Sequence, residues 1–341
     1  MIHIDGSFGE GGGQILRTSL SLSLLTGRSF EIKNIRANRK RSGLMAQHLS
    51  SVEAARLIGK GTVRGASLNS THLVFEPGAV QPGSYSIDIP TAGATTLVLQ
   101  TIYLPLAYGR SESRVTIAGG THVPWSPCFH YLKYQWLPAM EKIGLKMNLE
   151  MDRAGFFPEG QGAIRASIFP VDKIRGLELT ERRGPVRVIG ISAVANLNRN
   201  VAERQKQQAL KRLKSAGFDA EIEIESMPSK FKNTMCLIQP RFEQCSGCFT
   251  ALGAIGKRAE KVADESVAVA LEYLRGNGCV DKYLADQLIL PLCFGSGKST
   301  FTTPQITEHL RTNIAIIKKF LEIEIRLEND GDQNTRIIIQ K

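Results

Sequence analysis

Residues 12–27, GGQILRTSLSLSLLTG, return in altered form twice further along the chain. Residues 92–109 read AGATTLVLQTIYLPLAYG, and residues 307–321 read TEHLRTNIAIIKKFL. Each copy holds a Leu-(Arg/Gln)-Thr core: Leu16-Arg17-Thr18, Leu99-Gln100-Thr101 and Leu310-Arg311-Thr312. A second helix-like stretch ending in Ile-Gly follows each of the first two, at 44–59 and 128–144. Self-similarity of this kind marks a repeated unit. Strand-like runs at 30–35, 72–75, 85–89 and 114–118 make that unit α/β. The first copy alternates Ser and Leu from 19 to 24, which is a strand period. The third has a helix period, and we assign helix to all three because equivalent units should match. Within 44–59, Met45, Leu49, Val52 and Ala55 form an apolar stripe and leave Gln47 off it. Near the C-terminus, runs at 323–327 and 336–339 flank Asn329-Asp330-Gly331-Asp332, a hairpin signal.

A different pattern separates the third copy from the first two. After Glu181-Arg182-Arg183-Gly184-Pro185 come a strand (186–194) and a charged helix (201–216) closed by Gly217. Strand-like runs follow at 220–224, 235–239 and 249–255, then a helix at 262–275 that stops at Gly276-Asn277-Gly278. This β-α-β-β-β-α pattern reads as an inserted domain, 183–278, within a larger catalytic domain of residues 1–182 plus 279–341.

The glycine run before the first copy, Gly9-Glu10-Gly11-Gly12-Gly13, has two readings. It is a strand-to-helix turn needing positive φ, or a bare backbone open to a phosphate, with Glu10 as a cation ligand and Arg17 as an anion ligand. It fits neither GxGxxG nor GxxxxGK[ST]. Gly295-Ser296-Gly297-Lys298-Ser299 approaches the latter, but Leu292 stands where its first glycine belongs, so we read a helix-to-strand turn. The formal net charge of +11 favours a polyanionic partner. Lys33, Arg36, Arg39, Lys40 and Arg41 concentrate it in an acid-free stretch, either a phosphate-binding rim or a solvated loop.

None of the six histidines has the spacing of a HExxH zinc site. His3 and His72 lie in strand-like runs and read as structural. His309 is different, because Thr307 can N-cap its helix and leave it in the first turn. The positive helix end there disfavours imidazolium and welcomes phosphate. Tyr283-Leu284-Ala285-Asp286-Gln287 opens another helix-like run, either a nucleoside platform or an amphipathic start. Cys245-Ser246-Gly247-Cys248 has no second pair to complete a zinc site, and six cysteines make no disulfide framework. The N-terminal MIHIDGSFGEGG has neither a charged n-region nor an apolar h-region, and no apolar run reaches the roughly 20 residues that span a bilayer. The expectation is a cytoplasmic protein without a membrane partner.

Seven segments resemble the RNA 3′-terminal phosphate cyclase family, in order and from end to end. They are GEGGGQILR (9–17), IRANRKRSGLMAQH (35–48), AGATTLVLQT (92–101), GGTHVPWSP (119–127), GFFPEGQG (155–162), YLADQLILPL (283–292) and EHLRTNIAIIKKF (308–320). The chain departs from the family's HGFYPxGGG signature, with Ala154, Phe157 and Gln161 in place of His, Tyr and Gly. The resemblance implies an α/β (α+β) fold: a large domain of three repeated βαβαββ-type units, with a small inserted α/β domain of thioredoxin-like topology. It implies ATP-dependent conversion of an RNA 3′-phosphate to a 2′,3′-cyclic phosphate through histidine–AMP and RNA-adenylate intermediates. By motif position the nucleophile is His309, and Glu10 is the ligand of a divalent cation, Mg or Mn. Arg17, Arg36, Arg39 and Gln47 match positions that hold phosphates of ATP or RNA, and Gln100 matches one at the triphosphate. Tyr283 and Pro127 match the adenine sandwich, with Leu284, Ala285, Asp286 and Gln287 in the same ATP-binding stretch. A ribosome-assembly branch of the same fold lacks the nucleophile. Enolpyruvyl transferases have similar repeats and need neither that histidine nor an adenine platform.

Overall fold

Three sheets of the computed structural model, which describes residues 1–330 and 334–340, share one strand plan. The first unit runs β1 (Ile2–Asp5), α1 (Gly13–Thr26), β2 (Phe30–Lys33), α2 (Ala46–Gly59), β3 (Thr62–Arg64) and β4 (Leu73–Glu76). Its sheet order is β1-β2-β4-β3, with β1 parallel to β2 and the other pairs antiparallel. The second runs β5 (Ser84–Asp88), α3 (Thr95–Ala107) and β6 (Ser113–Gly119). A continuous helix follows, made of α4 (Phe129–Tyr131), a π-helical stretch (Leu132–Trp136) and α5 (Leu137–Lys142). Strands β7 (Met147–Arg153) and β8 (Gly162–Ile168) complete the order β5-β6-β8-β7 with the same strand directions.

The third unit begins at β9 (Glu178–Leu179) and is interrupted by β10 (Arg187–Ala195), α6 (Arg199–Ser215), β11 (Ala220–Ser226), β12 (Asn233–Arg241), β13 (Phe249–Leu252) and α7 (Ala259–Arg275). It resumes with α8 (Lys282–Cys293), β14 (Ser299–Thr303), α9 (Glu308–Phe320), β15 (Glu324–Asn329) and β16 (Thr335–Gln340). The order β9-β14-β16-β15, with β9 parallel to β14, repeats the plan. Gly331 and Asp332 of the expected hairpin turn lie outside the described residues.

The βαβαββ unit is thus present three times, but the helix equivalence read from sequence needs correcting. The strand plan makes α8 the counterpart of α1 and α3, and α9 the counterpart of α2. The Leu-Arg-Thr match between 16–18 and 310–312 is a three-residue likeness between non-equivalent helices.

The Ser/Leu alternation of α1 is a helix because burial surrounds it. Every residue from Thr18 to Leu24 is buried, and α2, α3 and α9 all pack on it. A helix buried all round needs no polar face, so its period disappears. The serines satisfy themselves on backbone: Ser19 Oγ donates to the Ile15 carbonyl at 2.7 Å, and Ser21 Oγ donates to that of Thr101 at 2.6 Å. In α2 the stripe is also shifted. Val52 and Ala55 are buried as expected, but His48, Ser51 and Ile58 complete the buried face, while Met45 and Leu49 are half-buried.

The interrupting module has sheet order β11-β10-β12-β13, with β10 and β11 parallel and the rest antiparallel, a thioredoxin-like arrangement. Strand alternation splits its side chains between two cores. Cys236 and Ile238 pack with Val262 and Val267 of α7, whereas Met235 and Leu237 join the core of the repeated units. Among the described residues no helix is long and apolar enough to cross a membrane.

Candidate active site

The glycine run, the arginine loop before α2, and helices α1, α8 and α9 converge on a cavity of about 680 Å³. The glycines serve two purposes. Gly9 and Gly11 both have φ of +57°, which only glycine adopts without strain. Gly12 and Gly13 are there for closeness: a Cβ at Gly13 would lie 2.4 Å from His48 Nε2, and one at Gly12 would lie 2.7 Å from Glu10 Oε1. No side chain caps α1 at Gly12 and no acid stands in its first turn. The positive end of this 14-residue helix therefore meets the cavity as an anion site.

Glu10 faces two ways. Its Oε1 is ion-paired with Arg39. Its Oε2 is buried, accepts no hydrogen bond, and lies 2.7 Å from Nε2 of His309. A buried carboxylate oxygen without a hydrogen bond costs free energy that a hard cation would recover. Among the described residues no cluster of three His, Cys, Asp or Glu could hold a metal alone. A single carboxylate suits a cation that completes its shell with substrate phosphate oxygens and water.

His309 sits in the first turn of α9, where Thr307 Oγ1 accepts the Leu310 N–H at 3.0 Å. Its imidazole lies below the ordinary histidine range. Burial is the largest cause, Asp286 opposes it, and the Arg17 and Arg39 guanidiniums push the same way as burial. The direction agrees with the first-turn reading, but the cause is enclosure and cations more than the helix end. Burial drives the Asp286 carboxyl up to about 7, with His309 and Arg17 pulling it back. Burial also lowers the Arg17 guanidinium to about 10, and it stays charged at neutral pH.

A polar ladder fixes these groups on three helices. Thr18 Oγ1 donates to Asn313 Oδ1 at 2.7 Å, Gln14 Nε2 donates to the same oxygen at 3.1 Å, and Asn313 Nδ2 donates to the Asp286 carbonyl at 2.9 Å. Arg17 donates to Gln14 Oε1 at 2.9 Å. Across the cavity, Gln100 Nε2 donates to Gln287 Oε1 at 2.6 Å, which joins α3 to α8. Gln47 Oε1 accepts the Ala94 N–H at the start of α3. Arg36 has φ of +56° and donates to the Gly43 carbonyl, which turns the arginine loop inward.

The residues singled out from sequence mostly meet here. Glu10, Arg17, Arg36, Arg39, Gln47 and Gln100 line the cavity, as do Pro127, Tyr283, Asp286, Gln287 and His309. Leu284 and Ala285 do not. Helical spacing turns 283, 286, 287 and 290 toward the cavity and leaves Leu284 and Ala285 buried in the core. Sequence reasoning missed Gln14, Thr18 and Asn313. The signal was available as helical spacing from chosen residues: Gln14, Arg17 and Thr18 share a face, and Asn313 follows His309 by four. His48 was also missed, although it lies in a quoted segment. Gly295–Lys298 forms the turn between α8 and β14, as read from Leu292, and lies outside the cavity lining.

Residues 8–327 match the family model described as RNA 3′-terminal phosphate cyclase. The chain is 42% identical over 330 residues to the RNA 3′-terminal phosphate cyclase of Koribacter versatilis, covering 97% of this chain and 92% of that one. It is 39% identical over 330 residues to the protein of that name from Archaeoglobus fulgidus, covering 97% and 98%. A third, from Methylococcus capsulatus, is 38% identical over 349 residues, covering 99% and 96%. With a match that runs nearly end to end and through every segment lining the cavity, the chain belongs to the RNA 3′-terminal phosphate cyclase family.

Proposed function

We propose that this chain converts an RNA 3′-phosphate end to a 2′,3′-cyclic phosphate at the expense of ATP, with His309 as the nucleophile. The observation that carries this reading is a half-buried imidazole, its protonation disfavoured by burial, whose Nε2 shares its cavity with Glu10, Arg17, Arg39 and the uncapped end of α1. Neutral imidazole is a competent nucleophile when held in line. Nε2 attacks the α-phosphorus, the bond to pyrophosphate breaks, and AMP remains on the ring. An oxygen of the RNA 3′-phosphate then takes the AMP and frees His309, leaving a mixed anhydride. The neighbouring 2′-OH attacks the RNA phosphorus, loses its proton and expels AMP. That last step needs little from the protein, because the hydroxyl is already tethered beside its target.

Arg17, Arg36, Arg39 and Gln47 hold phosphates in this reading, and arginine suits the task because its fork binds phosphate bidentately. Gln100 touches the triphosphate. Tyr283 and Pro127 enclose the adenine, and Asp286 and Gln287 lie at its polar edge. Glu10 would hold a divalent cation, Mg or Mn, whose contribution is to neutralise the departing pyrophosphate. We also place the boundaries of the small domain at 183 and 278. Six cysteines in a chain of this length make no disulfide framework, which supports a reducing, cytoplasmic setting.

The test is incubation with α-labelled ATP and a divalent cation, followed by denaturation. Label should stay on the wild-type protein and be absent from His309→Ala. Wild-type protein without label would overturn the reading.

A further inference from the structure

Trp125 lines the cavity mouth and is 100% exposed, the second most exposed large apolar side chain among the described residues. Its backbone φ is +66°, a left-handed conformation that a bulky L-residue rarely adopts. The loop on either side is firmly held. Thr96 Oγ1 donates to the Pro127 carbonyl at 2.7 Å, Ser126 Oγ donates to that of Val123 at 3.1 Å, and Val123 and Cys128 are buried. The strained backbone therefore carries the indole outward from a fixed support, and nothing in the described chain covers it. Arg17, Arg36 and Arg39 line the same cavity.

An exposed aromatic on a fixed loop, sharing a cavity with an arginine cluster, has the chemistry of single-strand nucleic-acid binding, in which cations hold the backbone and a ring takes a base. We propose that Trp125 is a stacking platform for an unpaired base at the 3′ end of the RNA, set to present the terminal phosphate to the arginines. The inference rests on the proposed function for the identity of the polyanion. ATP does not need this ring, because Tyr283 and Pro127 serve the adenine in that reading. Every base has a π-face, so the platform tolerates any base but requires one.

The chain has two tryptophans, and Trp136 is fully buried edge-to-face against Tyr103. The fluorescence difference between wild type and Trp125→Phe therefore belongs to Trp125. Titration of wild type with a short RNA ending in a 3′-phosphate, without ATP, should quench that signal, and ATP alone should not. Trp125→Ala should raise the KM for the RNA roughly tenfold or more while leaving the rate of protein adenylation by ATP unchanged. Trp125→Phe should restore the KM. An abasic residue within the last two nucleotides should cost wild type a similar factor and cost Trp125→Ala little more. Quenching by ATP but not RNA, or an unchanged KM for RNA in Trp125→Ala, would overturn the platform. Wild type that never yields cyclic ends would sink the proposed function instead, and quenching by RNA would still decide the platform.

Discussion

The second helix of each repeat opens with a histidine, and the three rings are put to different uses. His48 in α2 is buried, and its Nδ1 accepts the Met45 N–H at 3.1 Å, so the ring itself caps the helix. Burial, with help from Arg17 and Arg36, lowers this imidazole to about 3. His130 in α4 is buried as well and lies in a chain of contacts. His122 Nε2 is 2.7 Å from His130 Nδ1, and His130 Nε2 is 3.2 Å from Glu225 Oε1 of the inserted module. His309 in α9 lies in the same first turn, one position nearer the N-cap than His48, and there Thr307 takes the capping role. The repeat supplies a histidine in the first turn of this helix: His48 is spent on the cap, whereas Cys128 and Thr307 cap the other two helices, and burial then separates His130 from the half-buried His309.

The largest effect should come from His309→Ala. We expect cyclisation to fall at least about a thousandfold, with stability to urea changed by less than about 1 kcal/mol. Protein-bound label persisting in this variant would break the contrast and turn attention to His48. Glu10→Gln should follow, slowing adenylation about a hundredfold and raising the cation concentration needed for half-maximal rate. A metal dependence identical to wild type would remove Glu10 from the cation site.

His48 should answer in stability. His48→Ala should cost about 2 kcal/mol, part from the lost cap and part from the space left behind, and His48→Gln should recover some because glutamine at this position can cap. The pH dependence has a definite sign. The folded pKa of about 3 lies below the unfolded ~6.5, so the unfolded chain binds the extra proton in between. Wild-type stability from this group is present above ~6.5 and is lost as pH falls toward 3. The slope should flatten by up to about one proton in His48→Gln, as read by denaturation at several pH values. An unchanged slope would mean the ring is not held neutral.

The smallest expected effect is on the pH–rate profile. Asp286 raises the His309 pKa, so Asp286→Asn should lower it further. The acid limb of single-turnover adenylation should move down by under about one pH unit. A move upward would show that Asp286 acts on the ring by another route.

Much of this site was legible from local chemistry. Thr307 caps the helix of His309 as its spacing suggests, the glycines around Glu10 include two at positive φ, and of the acid-free run from Lys33 to Arg41 only Arg36 and Arg39 reach the cavity lining. Misreadings arose where the tertiary surroundings overrode a local pattern. The Ser/Leu period of α1 looks like a strand because burial on all sides removes the need for a polar face. The Leu-Arg-Thr likeness paired α9 with α1, whereas strand order pairs it with α2, and strand pairing is a long-range property that a three-residue match does not encode. Leu284 and Ala285 travelled with their motif, yet helical rotation sends them into the core.

By itself the sequence determined the repeated unit, the interrupting module, the residue types at each helix start and the family to which they point, because propensity, capping and turn chemistry act over a few residues. Only the tertiary structure decided that His48 and His130 are buried while His309 is not, that Glu10 Oε2 and His309 Nε2 approach to 2.7 Å from opposite ends of the chain, and that Asn313 ties α1, α8 and α9 around them. Those outcomes depend on which elements pack together, and packing brings into contact residues almost three hundred positions apart that no local rule connects.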